Sequence, residues 1–155
     1  MTIRPGTAED IPVVLPLVAK TVAFHDQLDP ARFGAVAGAH QRYEAWLRRL
    51  LDSEGGAFLV AEEDRSVVGF LLGQVQDEYA MYRTGRYGMI HDLWVEPPHR
   101  RKGIAKALVL AALARFREAG VKQVRLDTSA YNEAAQKLFT SCGFRPSVLE
   151  MLLSF

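Results

Sequence analysis

A strand that runs into two prolines, then a cationic glycine loop, then an apolar helix constrains this chain more than any other stretch. It spans Met89 to Phe116, MIHDLWVEPPHRRKGIAKALVLAALARF. Ile90, Leu93, Trp94 and Val95 are β-formers and predict the strand. Pro97 and Pro98 end it, since neither can donate a ladder hydrogen bond. Ile104, Ala107, Leu108, Ala111 and Ala112 recur at helical spacing, and Leu110, Leu113 and Phe116 widen that face into a mostly buried helix. Between the two lies Arg100-Arg101-Lys102-Gly103-Ile104-Ala105. A helix start leaves its first amides unpaired and carries roughly half a positive charge. With three cations beside it and small residues at Gly103 and Ala105, the backbone can close on a phosphate.

The rest of the chain is read around that stretch. Thr2–Arg4 is a short strand, and Thr7 with Asp10 forms a capping-box variant that opens a helix at Ala8. Ile11, Val14, Leu15, Val18 and Val22 stripe that helix, which Pro16 should kink or weaken. His25–Pro30 reads as a loop, followed by a helix with Tyr43, Trp46, Leu47, Leu50 and Leu51 on one face. Ala57–Glu62 and Val67–Val75 form a hairpin across Glu63-Asp64-Arg65-Ser66. Gln76–Arg86 has no period and reads as a loop or strand extension near a site opening. The apolar helix ends at Gly120, Val121–Thr128 is a strand, Asn132–Ser141 a short helix and Val148–Phe155 a closing strand. This order predicts one α/β domain over residues 1–155: a mixed sheet in three layers, with helices on both faces.

Composition narrows the function classes. A formal charge of +1 argues against a dedicated nucleic-acid or membrane-surface binder. One cysteine, Cys142, allows no internal disulfide and suggests a reducing, cytoplasmic setting. Arg4, Glu9 and Asp10 interrupt any leader-like apolar run, and no stretch reaches the roughly 20 apolar residues of a membrane span. No His/Cys cluster has metal-ligand spacing, so no metal is expected.

Arg100-x-x-Gly103-x-Ala105, after a strand ending in Val95-x-Pro97, resembles the acyl-CoA signature of the GNAT superfamily of N-acetyltransferases, Gln/Arg-x-x-Gly-x-Gly/Ala. Asn132-x-x-Ala135-x-x-Leu138-Phe139-x-x-x-Gly143-Phe144 resembles that family's second block. Ile3-Arg4-Pro5 with Thr7–Ile11 resembles its opening strand and helix. The resemblance implies a mostly antiparallel central sheet of six to seven strands, acetyl-CoA as co-substrate and transfer of its acetyl group to a primary amine. It implies a pyrophosphate site at Arg100, Arg101, Lys102, Gly103, Ile104, Ala105 and Lys106, and a pantetheine site along the backbone of Leu93, Trp94 and Val95. An amide of that strand would face the thioester oxyanion, with Asn132 and Phe139 as further cofactor contacts.

The amine must lose a proton before it attacks, because its pKa lies near 10.4. Relatives often carry a carboxylate base at the position of His91 or Asp92, which here are the two catalytic candidates. They point to opposite faces of the strand unless a bulge intervenes. Phe139 stands where most relatives have tyrosine and cannot protonate the departing thiolate. Tyr131 or a water is the expected substitute, if one is needed. His25, Asp26, Tyr79, Tyr82 and Arg83 are candidates for the acceptor site by position. Cys142 reads as a small packed residue.

The expected activity is therefore acetyl-CoA-dependent N-acetylation by direct attack, on an amine-bearing small molecule or peptide, with a homodimer allowed. The alternative is a CoA-binding regulatory or sensor domain with little turnover, motivated by Phe139. A nucleic-acid binder using His99–Lys102 is disfavoured by the near-neutral charge.

Overall fold

The computed structural model describes residues 1–155, apart from the side chain of His40. Strand β1 (Thr2–Pro5) leads through a short 3-10 turn at Ala8–Asp10 into α1 (Ile11–Leu28), α2 (Pro30–Phe33) and α3 (Ala39–Leu51). Strands β2 (Ala57–Glu63), β3 (Ser66–Asp77) and β4 (Arg86–Val95) follow, then α4 (Ile104–Glu118), β5 (Val124–Leu126) and α5 (Glu133–Ser141). The sheet order is β1-β2-β3-β4-β5, antiparallel except for the parallel β4–β5 pair.

Both faces of the sheet are covered, which is why β2 and β3 read as continuous apolar runs instead of alternating. Leu59, Leu71 and Ile90 pack with Leu108 and Phe116 of α4 and Phe139 of α5 on one face. Phe58, Val60, Phe70, Leu72 and Trp94 pack with Ile11 and Val14 of α1 and Leu47 and Leu50 of α3 on the other. The β2–β3 hairpin turns at Asp64 and Arg65, both at positive φ (51° and 62°), as a two-residue turn matched to strand twist requires. Gly88 leaves room for the α4 ring beneath the sheet: a Cβ there would come within 2.6 Å of Phe116.

Three expectations are corrected. The sheet has five strands, not six to seven, because Val148–Phe155 forms none. That stretch has strand-like residues, but propensity does not supply a partner edge, and β5 still pairs with β4 alone. The strand expected over Val121–Thr128 pairs only across Val124–Leu126. His25 belongs to α1, which continues to Leu28 and stops at Asp29, the residue Pro30 keeps out of helical geometry (φ −157°, ψ 88°). The helix α1 runs on through Pro16, which lies on its exposed face, where the carbonyl it leaves unpaired can meet water.

Candidate functional site

Two irregularities of β4 shape the site. Its register against β3 pairs Leu72 with Asp92 and then Gly73 with Ile90, so His91 is the extra residue of a bulge. Against β5, pairing runs only from Gly88–Val124 to Ile90–Leu126. Beyond Ile90 the two strands part, and the β5-facing edge of Leu93, Trp94 and Val95 has no strand partner. A narrow slot of about 70 Å³ opens in this gap, lined on the β4 side by Ile90–Leu93 and across it by Leu126–Thr128, Asn132 and Phe139. Asn132 serves two purposes: it lines the slot, and its side chain caps α5 by accepting from the Ala135 amide at 3.1 Å.

A second, wider cleft of about 480 Å³ lies on the α3 side. Ala39, Arg42, Tyr43 and Trp46 recur at helical spacing on one face of α3 and form its wall, with Val36, His91 and Asp92 opposite. The Tyr43 hydroxyl donates to Asp92 Oδ2. Trp46 stacks edge-on to both Tyr43 and His91, each at 5.3 Å between ring centres. Gln76 Nε2 approaches His91 Nε2 at 3.3 Å while its Oε1 accepts from the Tyr87 hydroxyl at 2.9 Å, which orients the imidazole. Because of the bulge, His91 and Asp92 line both cavities.

Burial sets the protonation of this group. It raises the Asp92 carboxyl above its ordinary range, partly offset by the hydrogen bond from Tyr43. It lowers the His91 imidazole, which is therefore neutral at pH 7. It also pushes the Tyr43 phenol upward, reinforced by the neighbouring Asp92 charge, so Tyr43 remains a proton donor. A carboxylate of raised basicity thus faces a neutral imidazole where the two cavities meet.

The loop before α4 divides its cations among several tasks. Arg100 does not turn to the helix start: its Nε donates to Val95 O at 2.7 Å and its guanidinium lies 4.5 Å from the Trp94 ring centre. It therefore ties the loop to the end of β4. Lys102 sits 3.6 Å from Glu63, a carboxylate that His99 also contacts at 2.5 Å. Arg101 (φ 63°) and Gly103 (φ 81°) both take left-handed backbone. Ala107 N makes the bond to Gly103 O at 3.0 Å, so the amides of Ile104, Ala105 and Lys106 precede the first bond of α4. A Cβ on Gly103 would meet nothing within 4 Å, so the backbone at that residue is open on its Cβ side. The cradle fits a phosphate through backbone amides more than through Arg100.

Of the other candidates, His25 lines the slot, whereas Asp26, Tyr79, Tyr82 and Arg83 line neither cavity. Tyr131, the expected substitute acid, also lines neither and is largely exposed. Tyr43, Trp46 and Arg42 line the cleft without a local sequence signal for it, because period alone cannot separate a face packed on the sheet from one lining a cleft. Among the described residues no group of His, Cys, Asp or Glu is arranged to hold a metal ion, and no helix is long and apolar enough to cross a membrane.

The chain's likenesses agree with this geometry. The model of the acetyltransferase (GNAT) family matches residues 22–144. Mycothiol acetyltransferase of Sanguibacter keddieii is 30% identical over 151 residues, 97% of this chain and 44% of that protein. Human N-acetyltransferase 8 is 39% identical over 95 residues, 61% of this chain and 41% of that protein. The chain thus spans less than half the length of either relative. Among solved structures, the aminoglycoside N-acetyltransferase AAC(6')-Iy in complex with CoA matches with a TM-score of 0.76 at 20% identity, over 99% of this chain and 93% of that one. With a family model covering most of its length and a gapped sheet beside a glycine-led helix, this chain belongs to the GNAT family of N-acetyltransferases.

Proposed function

We propose that the protein transfers the acetyl group of acetyl-CoA to a primary amine by direct attack on the thioester. The observation that carries this reading is the position of His91 and Asp92, on the wall shared by the slot and the cleft. Acetyl-CoA supplies an activated thioester carbonyl. Its pyrophosphate would rest on the amides of Ile104, Ala105 and Lys106, with Arg101 and Lys102 adding charge, and its pantetheine would follow the free edge of Leu93–Val95 through the slot. The amine enters from the cleft. Asp92, the more basic for its burial, takes the ammonium proton while Tyr43 holds its other role as donor to that carboxylate. His91, neutral and oriented by Gln76, is the second candidate for this step. The nitrogen then bonds to the carbonyl carbon, a β4 amide faces the oxyanion, the C–S bond breaks to release CoA thiolate, and the nitrogen's remaining excess proton passes to solvent or to that thiolate to leave the neutral amide.

The remaining parts of this reading are a single domain, a second copy as partner, and a reducing cytoplasmic setting consistent with the free Cys142. The test is thiol release from acetyl-CoA across an amine library, with parent and Asp92→Asn. Release by the parent, lowered about 10²–10⁴-fold in the variant, is expected. Thermal stabilisation by acetyl-CoA with no release from any amine would instead favour the CoA-binding sensor.

A further inference from the structure

The cleft holds more than an amine and a base. Its wall on α3, Ala39, Tyr43 and Trp46, is apolar and aromatic apart from Arg42, and Val36 from the segment before the helix also lines it. Arg42 has no carboxylate partner among the described residues, and the nearest acid along its own helix, Glu44, is engaged by Arg48 at 2.7 Å. The first turn of α3 carries no acidic side chain. Asp92 is the only carboxylate lining the cleft, and Tyr43 already donates to it. The cleft volume falls within the usual range for a small-molecule site.

Resting on the acetyltransfer reading above, we propose that the acceptor is a small amino acid-like molecule: a primary amine, a carboxylate near it, and an apolar or aromatic side group. The amine lies against Asp92 at the slot, the side group against Trp46, and the carboxylate pairs with Arg42. A planar guanidinium can hold a carboxylate through two parallel hydrogen bonds, and one cation balances one negative charge. A phosphate, with a charge near −1.5 to −2, would leave an excess that nothing lining the cleft neutralises. A polycationic acceptor such as a polyamine or an aminoglycoside would set several ammonium groups beside Arg42 with a single acid to offset them. A peptide N-terminus or a protein lysine brings no carboxylate at a fixed place beside its amine.

Matched pairs test this: L-phenylalanine against phenethylamine, and L-leucine against 3-methylbutylamine, each pair differing only by the carboxylate. Thiol release from acetyl-CoA is compared as kcat/KM per unprotonated amine, with spermidine and kanamycin alongside. At least one amino acid should exceed its decarboxylated partner by about tenfold or more, mainly through KM, and exceed spermidine and kanamycin. In Arg42→Ala that ratio should fall toward one, while Arg42→Lys should restore part of it; melting temperatures confirm that both variants fold. Equal use of both members of each pair, preference for spermidine or kanamycin, or an unchanged ratio in Arg42→Ala would overturn the acceptor assignment and leave acetyltransfer standing. No release from any amine would overturn both.

Discussion

Phe139 is the residue at which this chain departs most clearly from the usual chemistry of such a site. Its ring is buried, lines the slot and packs edge-on to Phe144 at 5.8 Å. No side chain of Tyr131 enters the slot to replace the missing hydroxyl. A thiol of pKa near 8.5 leaves tolerably as thiolate, so solvent can supply the proton afterwards. Single-turnover rates from pH 6 to 9 should therefore change less than about threefold in both Phe139→Tyr and Tyr131→Phe, against the 10²–10⁴ that a limiting general acid contributes. A tenfold rise in Phe139→Tyr would show that protonation does limit the reaction. The site was only partly legible at this scale. His91 and Asp92 could be picked out from the strand, but the bulge that aims both at one cleft depends on pairing with Gly73 and Leu72, which lie far away in sequence. Arg100 carried the right motif and a different task, because a motif records residue type and not the direction a side chain takes.

The elements were easier to read than the contacts between them. The α4 stretch combined helical period with a proline stop and a glycine start, and its bounds follow from those local signals. The two-residue hairpin of β2 and β3 was legible for the same reason. Gly103 permits a direct check of the cradle. Valine at φ 81° costs roughly 1–3 kcal/mol of backbone strain, but its Cβ has open space within 4 Å, so the fold should persist at a lower melting temperature. Its branched side chain stands at the residue that leads into the free α4 amides, where a bound pyrophosphate would need close backbone approach. We expect Gly103→Val to lose the thermal stabilisation that acetyl-CoA gives the parent, and an undiminished shift would refute the cradle. The opening of α1 makes a separate, pH-dependent prediction. Asp10 accepts from Arg4 at 2.8 and 2.9 Å and from the Thr7 amide at 2.8 Å, and the bonds from Arg4 hold its carboxyl below the ordinary range. A depressed carboxyl stabilises the fold above its unfolded pKa, near 3.9, and this contribution is lost as pH falls through the lower folded value. Asp10→Asn should therefore cost about 2 kcal/mol at pH 7 in urea unfolding, and the gap to the parent should begin to narrow near pH 4 and shrink as pH falls further. A gap that stays constant between pH 7 and pH 3 would assign the loss to packing instead.

At the scale of the whole molecule, the C-terminal stretch is the part that single-chain reasoning placed wrongly. Val148–Phe155 has the residues of a strand, yet it is unpaired, with Val148 90% and Met151 83% exposed. Leu149, Leu152, Leu153 and Phe155 are exposed as well, an apolar run that a monomer would have to keep in water. Its one ionic tether, Glu150 to Arg32 at 2.5 Å, is surface-exposed and contributes little. The same molecule leaves the outer edge of β5 without a partner. An exposed apolar segment of β-forming residues and an unpaired sheet edge in one chain are complementary, and two copies can satisfy both by a reciprocal, twofold exchange. The proposed second copy then has a form that can be tested, in which the tail of each copy pairs with the β5 edge of the other. Light scattering should report a dimer for the full chain at micromolar concentration. Ending the chain at Pro146 should yield a folded monomer with the helical and strand content of residues 1–146 retained. A charge at one apolar position of the tail, Leu152→Glu, should weaken the dimer without shortening the chain. If the full chain is monomeric, or if the truncated chain remains as dimeric as the parent, the exchange is wrong and the tail's apolar face requires a different occupant.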